Sequence, residues 1–290
     1  MLPPDAQTVM VTGATDGLGR AMATRLAQLG ATVVLHGRDA DRIAETGREI
    51  RRRTGAGPCR LIPVRADLAS LSEVDALAAE VSGEVDQLHL LVNNAGVGFG
   101  APDGPREESS DGLELRLAVN HLAPLRLTRR LLPLLRASVP SRVVQVASIG
   151  QAEIDLDDLL FERGWSGIEA YRRAKLAMVM GTIDLAEELR GTGVTVNALH
   201  PATLMETTMV ADSGVAPRST LEEGVTAAMR LALDPTLDEV TGGFFDGTRE
   251  AAGSVHDQAH DAQVRAALMR RSEELIEASV GHGAVPARSA

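Results

Sequence analysis

The chain has 290 residues, of which 44% are hydrophobic and 24% charged, proportions typical of a globular protein with one large or two small domains. Its net charge of −11 argues against a nucleic-acid partner, because phosphate binding requires a basic surface. The single cysteine, Cys59, excludes an intrachain disulfide and a zinc site built from several cysteines. The sequence shows no signal-peptide pattern and no apolar run of about 18 residues, so we expect a cytoplasmic protein without a membrane span.

Short apolar runs alternate with helical patterns along the chain. The apolar runs predict strands at residues 8–13, 32–37, 60–68, 88–96, 142–148, 194–201 and 242–247. Apolar residues at helical spacing predict helices at about 17–29, 40–53, 71–82, 111–137, 170–190 and 220–233. Runs that are apolar throughout are typical of strands buried on both faces of a parallel sheet. The alternation predicts an α/β fold: a single-domain, doubly wound parallel sheet (Rossmann fold) of about seven strands with helices on both faces.

The domain organisation follows from composition, which does not change clearly before residue 250. We therefore expect one cofactor-binding and catalytic domain over residues 1–250. Residues 251–290 are predicted to form a C-terminal extension, with a helix at about 257–279 and a flexible tail after it. A long insertion at 149–169 holds the only tryptophan, Trp165, and precedes the fifth predicted helix.

A glycine-rich turn, "TGATDGLG" at 12–19, joins the first predicted strand to the first helix. Glycines there permit a tight turn and close approach of the backbone to a pyrophosphate at the helix N-terminus. In this strand–turn–helix context the pattern predicts a dinucleotide site, with an ordinary connecting turn as the alternative. The predicted cofactor-binding residues of the turn are Gly13, Thr15, Asp16, Gly17, Leu18 and Gly19.

The end of the second predicted strand, "HGRD", bears on cofactor choice. An NAD-binding site needs a carboxylate there for the ribose hydroxyls, but Gly37 occupies the position and Arg38 follows it. A guanidinium in place of a carboxylate favours a 2′-phosphate, and hence NADP(H). Asp39 comes two residues late and is expected to open the next helix.

Tyr171, the only tyrosine, is followed at a spacing of four by Lys175 in "YRRAK". Residues at this spacing share one face of a helix. A free phenol titrates at about pH 10 and is a poor base at neutral pH unless a nearby cation lowers its pKa. The pair predicts that Tyr171 exchanges a proton with a substrate while the Lys175 ammonium, together with an oxidised nicotinamide, lowers the pKa of the phenol. A packing role for the ring is the alternative.

The Thr-Gly-x-x-x-Gly-x-Gly spacing resembles that of the short-chain dehydrogenase/reductase family, and the resemblance continues along residues 8–247. "NNAG" (93–96) ends the fourth predicted strand, and "YRRAK" opens the fifth helix. "HPATLMET" (200–207) resembles the segment that closes over the nicotinamide, although Ala202 stands where the family usually has glycine. The long insertion at 149–169 resembles the retinol-dehydrogenase-like branch.

This resemblance implies a set of roles. The catalytic residues would be Asn120, Ser148, Tyr171 and Lys175. Ser148 would hydrogen-bond the substrate oxygen, and Asn120 would hold, through its main chain, a water that links Lys175 to solvent. Further cofactor contacts would come from Asp67, Leu68, Asn94, Ala95, Gly96, Tyr171, Lys175, Pro201 and Thr203, with Asp67 binding the adenine amine. A helix N-cap is the alternative role for Asp67.

The residues and the resemblance together predict an NADP(H)-dependent oxidoreductase that interconverts a carbonyl and an alcohol on a small molecule. By analogy with the family, a homodimer or homotetramer is expected. Two alternatives stay open: an enzyme with the same residues that catalyses a non-redox step (cyclisation, epimerisation or dehydration), and a cofactor-binding sensor without turnover. No metal site is expected, because the seven histidines include no HExxH pattern.

Overall fold

The computed structural model describes residues 1–54, 60–101, 104–249 and 251–281, so Cys59 and the chain after residue 281 lie outside it. The sheet has the strand order β3-β2-β1-β4-β5-β6-β7-β8. The first seven strands are parallel, and β8 pairs antiparallel to β7 at the edge. The strands are β1 (Thr8–Val11), β2 (Thr32–Gly37), β3 (Leu61–Arg65), β4 (Leu90–Asn93), β5 (Ser141–Val146), β6 (Val194–His200), β7 (Phe244–Asp246) and β8 (Ala251–Ala252).

Helices cover both faces of this sheet. They are α1 (Gly17–Gln28), α2 (Ala40–Thr54), α3 (Leu71–Glu84), α4 (Leu115–Leu117), α5 (Ala123–Ala137), α6 (Gly167–Glu188), α7 (Thr208–Asp212), α8 (Leu221–Leu233) and α9 (Ala262–Gly281). A π-helical turn, Ala118–Leu122, joins α4 to α5. Helices α1, α2 and α8 contribute to the core on one face, and α3, α5, α6 and α9 contribute to the core on the other.

Each central strand supplies both cores, because successive side chains of a strand point to opposite faces. In β1, Val9 and Val11 belong to the core beside α1, whereas Met10 lies in the core beside α3 and α5. In β4, Leu90 likewise belongs to the core beside α1, whereas Leu91 lies in the core beside α3 and α5. This two-sided burial is the reason that the central strands are mostly apolar, and it confirms the predicted doubly wound sheet with seven parallel strands.

The observed elements differ from the predicted ones at their ends. The strand predicted at 88–96 ends at Asn93, because the residues after it form a loop at the edge of the sheet. The helix predicted at 111–137 begins at Leu115 and is interrupted by the π-turn. The Tyr171 helix begins at Gly167, earlier than the predicted residue 170.

The chain after residue 250 adds structure to the body of the protein. Strand β8 extends the sheet, a 3₁₀ turn follows at Asp257–His260, and α9 begins at Ala262, later than the predicted residue 257. The Leu268 side chain of α9 is fully buried against α6. The boundary at residue 250 stays a prediction, and the predicted flexible tail falls almost entirely outside the described residues. Among the helices of the described residues, none combines the length and the apolar character that crossing a bilayer requires.

Candidate active site

The strand order reverses direction between β1 and β4, and in such sheets the carboxyl ends of the two strands border a ligand-binding crevice. The glycine turn at 12–19 follows β1, and the "NNAG" loop follows β4 at this point. The structure therefore brings the two predicted cofactor-binding segments together. Every site residue described below lies at or near this carboxyl edge of the sheet.

The glycines of the turn have the geometry that the pattern predicts. Gly13 and Gly17 adopt positive φ angles of 64° and 45°, which favour glycine. A Cβ at Gly19 would lie 2.2 Å from the carbonyl oxygen of Gly13, so helix and turn approach too closely for a side chain. Because no side chain fits at this position, the backbone at the N-terminus of α1 stays uncovered. Binding of a pyrophosphate requires such an uncovered backbone.

The other predicted residues of the turn have structural contacts of their own. The Thr15 methyl group packs where a Cβ at Gly37 would stand, only 2.7 Å away. Leu18 is buried in the core, so only its main chain can face a cofactor. Asp16 caps α1 by accepting a hydrogen bond from the Gly17 amide at 2.8 Å.

The Asp16 carboxylate has two further partners. Burial opposes its ionisation, but hydrogen bonds from Thr208, Gly17 and Arg42 hold its pKa below the ordinary value. Its salt bridge to Arg42 spans 3.2 Å, and both side chains are largely exposed. The residue therefore connects the glycine turn to α2 and to α7.

Two buried side chains that the sequence analysis did not select hold the turn against its neighbours. The Thr12 hydroxyl accepts hydrogen bonds from the amides of Asn94 and Ala95, each at 3.0 Å. The Asn94 side chain, predicted to contact the cofactor, donates to the carbonyl oxygens of Thr12 at 2.8 Å and Gly13 at 3.3 Å. These bonds fix the glycine turn to the loop after β4.

His36 is the second such residue. Its Nδ1 accepts a hydrogen bond from the Gly13 amide at 3.2 Å, and its Nε2 donates to the carbonyl oxygen of Ala66 at 3.1 Å. Burial lowers the pKa of the imidazole to about 4, so the ring is neutral at physiological pH. The one sequence signal for this role was a polar residue near the end of the apolar run "TVVLHG".

Three arginines lie at the ends of β2 and β3. Arg38 is exposed, and its carbonyl oxygen accepts a hydrogen bond from the Arg65 guanidinium at 3.1 Å. Arg42 follows one helical turn later. The Asp39 carboxylate accepts a hydrogen bond from the Arg42 amide at 3.0 Å, which confirms that Asp39 opens helix α2. The guanidinium predicted to select NADP(H) is therefore one member of a local cationic group.

The loop after β3 holds Asp67 and Leu68. The Asp67 carboxylate is exposed and accepts a hydrogen bond from the Ala69 amide at 2.9 Å. Ser70, rather than Asp67, is the N-cap of α3, so the alternative role considered for Asp67 is wrong. Leu68 is buried in the core and can offer only its main chain to a ligand.

The proton-transfer residues lie at the end of β5 and on α6. The Tyr171 phenol is partly buried and hydrogen-bonds with the Ser148 hydroxyl. The Lys175 Nζ donates to the carbonyl oxygen of Val146 at 2.8 Å and lies 5.7 Å from the centre of the Tyr171 ring. The "YRRAK" spacing thus places both side chains beside the strand end that carries Ser148.

Burial dominates the protonation of this pair. It raises the pKa of the Tyr171 phenol, and the hydrogen bond with Ser148 opposes that rise. Burial also lowers the pKa of the Lys175 ammonium to about 8. The expected lowering of the Tyr171 pKa by Lys175 together with an oxidised nicotinamide stays a prediction. In the chain by itself, desolvation of the phenolate has the largest effect on this pKa.

Asn120 lies in the middle of the π-turn and is fully buried. Its side-chain oxygen accepts from the Val97 amide at 2.9 Å, and its side-chain nitrogen donates to the Val97 carbonyl oxygen at 3.0 Å. A Cβ at Gly96 would lie 2.9 Å from this oxygen and 3.7 Å from the Lys175 Nζ. Gly96 thus lets the loop after β4 pass close to both residues, while Ala95 is bound through its amide to Thr12.

The segment after β6 extends over the glycine turn. Pro201 is buried, and the Thr203 hydroxyl lies 3.1 Å from Nε2 of His200. Thr207 lies 3.1 Å from where a Cβ at Gly17 would stand, and Thr208 of α7 hydrogen-bonds with Asp16. The segment predicted to close over a cofactor therefore does contact the glycine turn.

The border of the site beside Tyr171 is apolar. Phe99 meets the Tyr171 ring edge-on, with the ring centres 6.0 Å apart. Ile149, Ile168 and Met209 lie on segments next to the site and are 46%, 41% and 40% exposed. The insertion at 149–169 contributes the first two of these residues.

A cavity of about 580 Å³ lies between α8 and β7 and reaches Pro201. Its lining includes neither Tyr171 nor a residue of the glycine turn. Within the described part of the chain, no three His, Cys, Asp or Glu side chains group as metal ligands would.

The fold, the glycine turn at the reversal of strand order and the Tyr171–Lys175–Ser148 group together define a dinucleotide-linked dehydrogenase. The family model "short chain dehydrogenase" matches residues 7–216, so the chain belongs to the short-chain dehydrogenase family, and its relatives place it in the retinol-dehydrogenase-like branch.

Retinol dehydrogenase 14 from Mus musculus is 36% identical, covering 93% of this chain and 86% of its own. Among solved structures, a protein from Mycobacterium paratuberculosis has a TM-score of 0.72 at 29% identity, over 94% of both chains. A short chain dehydrogenase from Shigella flexneri complexed with NADP has a TM-score of 0.67 at 27% identity, over 84% of this chain and 97% of its own.

Proposed function

We propose that the protein is an NADP(H)-dependent oxidoreductase that interconverts a carbonyl and an alcohol, with Tyr171 as the general acid and base. The observation that carries the proposal is the pairing of the Tyr171 phenol with Ser148, next to the buried Lys175 and across the site from the glycine turn. A phenol and a hydroxyl directed at one point can both bind a single substrate oxygen.

The protonation of Tyr171 suits the reduction of a carbonyl. Because burial raises its pKa, the phenol holds its proton at neutral pH and can donate it to the oxygen that becomes the alcohol. Ser148 donates a hydrogen bond to the same oxygen and stabilises its developing negative charge. The nicotinamide cofactor, when bound, supplies or accepts the hydride.

The cationic group at the ends of β2 and β3 supports the choice of NADP(H). Arg38 directly follows β2 and is exposed, and the Arg65 guanidinium donates to its carbonyl oxygen. A planar guanidinium suits a phosphate. Asp39, the nearest acid, is occupied as the cap of α2. The NADP complex of the Shigella relative is consistent with this choice.

The apolar border supports a lipophilic substrate. Phe99, Ile149, Ile168 and Met209 present apolar surface beside Tyr171. Retinol, named for the mouse relative, is an alcohol with a long apolar chain. We therefore propose long-chain, apolar alcohols and aldehydes as the substrate class. A cytoplasmic location and a homodimer or homotetramer are also proposed, on the sequence and the family analogy.

The test is oxidation of NADPH across aldehydes and ketones of increasing chain length, with NADH as the comparison. We expect turnover with NADPH, and a kcat/KM that rises with chain length. The Arg38→Ala variant should raise the KM for NADPH about tenfold or more and leave that for NADH unchanged, because it removes a charge-assisted bond to the phosphate.

Asp39→Ala is the matched control in this test. It lies next to Arg38 but caps a helix, so it should leave the ratio of the two KM values unchanged while lowering the melting temperature slightly. Equal use of NADH and NADPH by the wild type would disprove the cofactor assignment. A fall in kcat/KM with chain length would disprove the substrate class.

A further inference from the structure

The π-turn at 118–122 leaves Asn120 with only its main chain free to act. Both polar atoms of its side chain are bonded to Val97. In this turn the Ala123 amide donates to the carbonyl oxygen of Ala118, one residue further back than in an α-helix. Such a widened turn is less regular than an α-helix, and its position depends on the side chains packed around it.

The next residue of the turn, His121, is also buried. Its Nε2 lies 2.8 Å from the Ser272 hydroxyl of α9, and Ser272 is fully buried. On α6, a Cβ at Gly181 would lie 3.5 Å from the imidazole, so α6 passes directly beside the ring. His121 therefore lies between the helix that carries Tyr171 and the C-terminal helix.

Helix α9 is firmly attached to α6. The Arg265 guanidinium of α9 is buried and bonds with Asp184 at 2.6 Å and Glu187 at 3.1 Å, both on α6. Leu268 packs beside Leu176 and Met180 of α6. Because α9 is bonded to α6, the His121–Ser272 bond links the π-turn to the helix that carries Tyr171 and Lys175.

We propose that α9 positions the active site through this bond, with His121 and Ser272 as positioning residues that hold the main chain of Asn120 in register with Lys175. Ser272, on α9, would then influence the catalytic rate from outside the residues assigned to the site. The inference rests on the proposed function for its kinetic test, and a second measurement is independent of turnover.

The kinetic test uses Ser272→Ala, with Ser279→Ala as a matched control. Ser279 lies on the same helix, but its hydroxyl bonds within the helix to the carbonyl oxygen of Leu275 at 2.8 Å. We expect Ser272→Ala to lower kcat about tenfold and change the KM for NADPH less than twofold. Ser279→Ala should change neither.

Substitutions at His121 test the same bond from its other end. His121→Gln can place an amide nitrogen near the position of Nε2 and should retain most of kcat, whereas His121→Leu should resemble Ser272→Ala. A purely structural role would lower the melting temperature in both His121 variants without this difference in kcat. Equal kcat values for Ser272→Ala and Ser279→Ala would overturn the proposal.

Hydrogen exchange measured by mass spectrometry provides the independent measurement. We expect Ser272→Ala to accelerate amide exchange at residues 118–122 at least about fivefold while α6 remains protected, and Ser279→Ala to have no effect. Unchanged exchange at 118–122 would overturn the coupling. If the wild type reduces no carbonyl, the proposed function fails, and the exchange result still decides whether α9 holds the π-turn.

Discussion

The glycine turn and the border around Tyr171 meet at the carboxyl edge of one sheet, but they are held in different ways. The side chains of Thr12, His36 and Asn94 fix the turn through hydrogen bonds to its backbone and to its neighbours at 2.8–3.3 Å. The border beside Tyr171 includes the loop after β5 and the short helix α7, which expose Ile149 and Met209. The difference indicates that the glycine turn is held in one conformation before a cofactor binds, whereas the border around Tyr171 can adapt to a substrate.

This comparison predicts that substitutions beside Tyr171 will lower kcat, whereas substitutions at the glycine turn will lower the affinity for NADPH. The largest effect is expected for Tyr171→Phe, which removes only the hydroxyl. We expect kcat to fall about 10³-fold, the usual contribution of a general acid, with unchanged NADPH affinity measured by fluorescence titration. Retention of full activity would exclude Tyr171 as the proton donor.

The next largest effect is expected for a substitution in the glycine turn. Gly19→Ala places a Cβ 2.2 Å from the Gly13 carbonyl oxygen and 2.4 Å from Nδ2 of Asn94, so the turn must shift. The NADPH dissociation constant should rise about 100-fold. The added methyl group overpacks the glycine turn itself, at a cost of about 1–3 kcal/mol.

Gly83→Ala is the control for this change, since a Cβ at Gly83 in α3 meets nothing within 4 Å. It should leave affinity unchanged and raise the free energy of unfolding by about 0.5–1 kcal/mol, as expected in a helix interior. Normal NADPH binding by Gly19→Ala would contradict the assignment of the turn to the cofactor.

A smaller effect is expected for His36→Leu, which leaves the Gly13 amide and the Ala66 carbonyl oxygen without their partner. We expect the KM for NADPH to rise about tenfold with kcat within twofold, and the free energy of unfolding to fall by about 1–3 kcal/mol. Steady-state kinetics and urea unfolding measure both. A loss of kcat at saturating NADPH would show that the glycine turn and the border around Tyr171 do not act independently.

The fold was predictable from the sequence because β1 and β4 are buried on both faces, and burial on both faces favours a nearly continuous apolar run. The glycine turn and the Tyr171–Lys175 spacing were predictable because each is local, and local geometry follows from spacing. Asn94 was selected for its position in "NNAG", but its observed contacts are with Thr12 and Gly13.

Contacts between distant segments were not predictable. His36 meets Gly13 and Ala66 only because β2 lies between β1 and β3, and nothing in "TVVLHG" identifies those partners. Ser272 lies in a segment interpreted as an extension, and its contact with His121 spans 151 residues. The raised pKa of Tyr171 depends on burial, which its neighbours in the sequence do not specify.

The two-residue strand β8 has a consequence for solubility. It pairs Ala252 with Phe245 and Ala251 with Asp246, so it covers the open side of β7. Without β8, β7 would present unpaired backbone groups beside Phe244 and Phe245. Exposed strand edges of this kind form hydrogen bonds with strands of other chains. Two small residues just beyond the predicted domain boundary thereby protect the sheet against self-association at that edge.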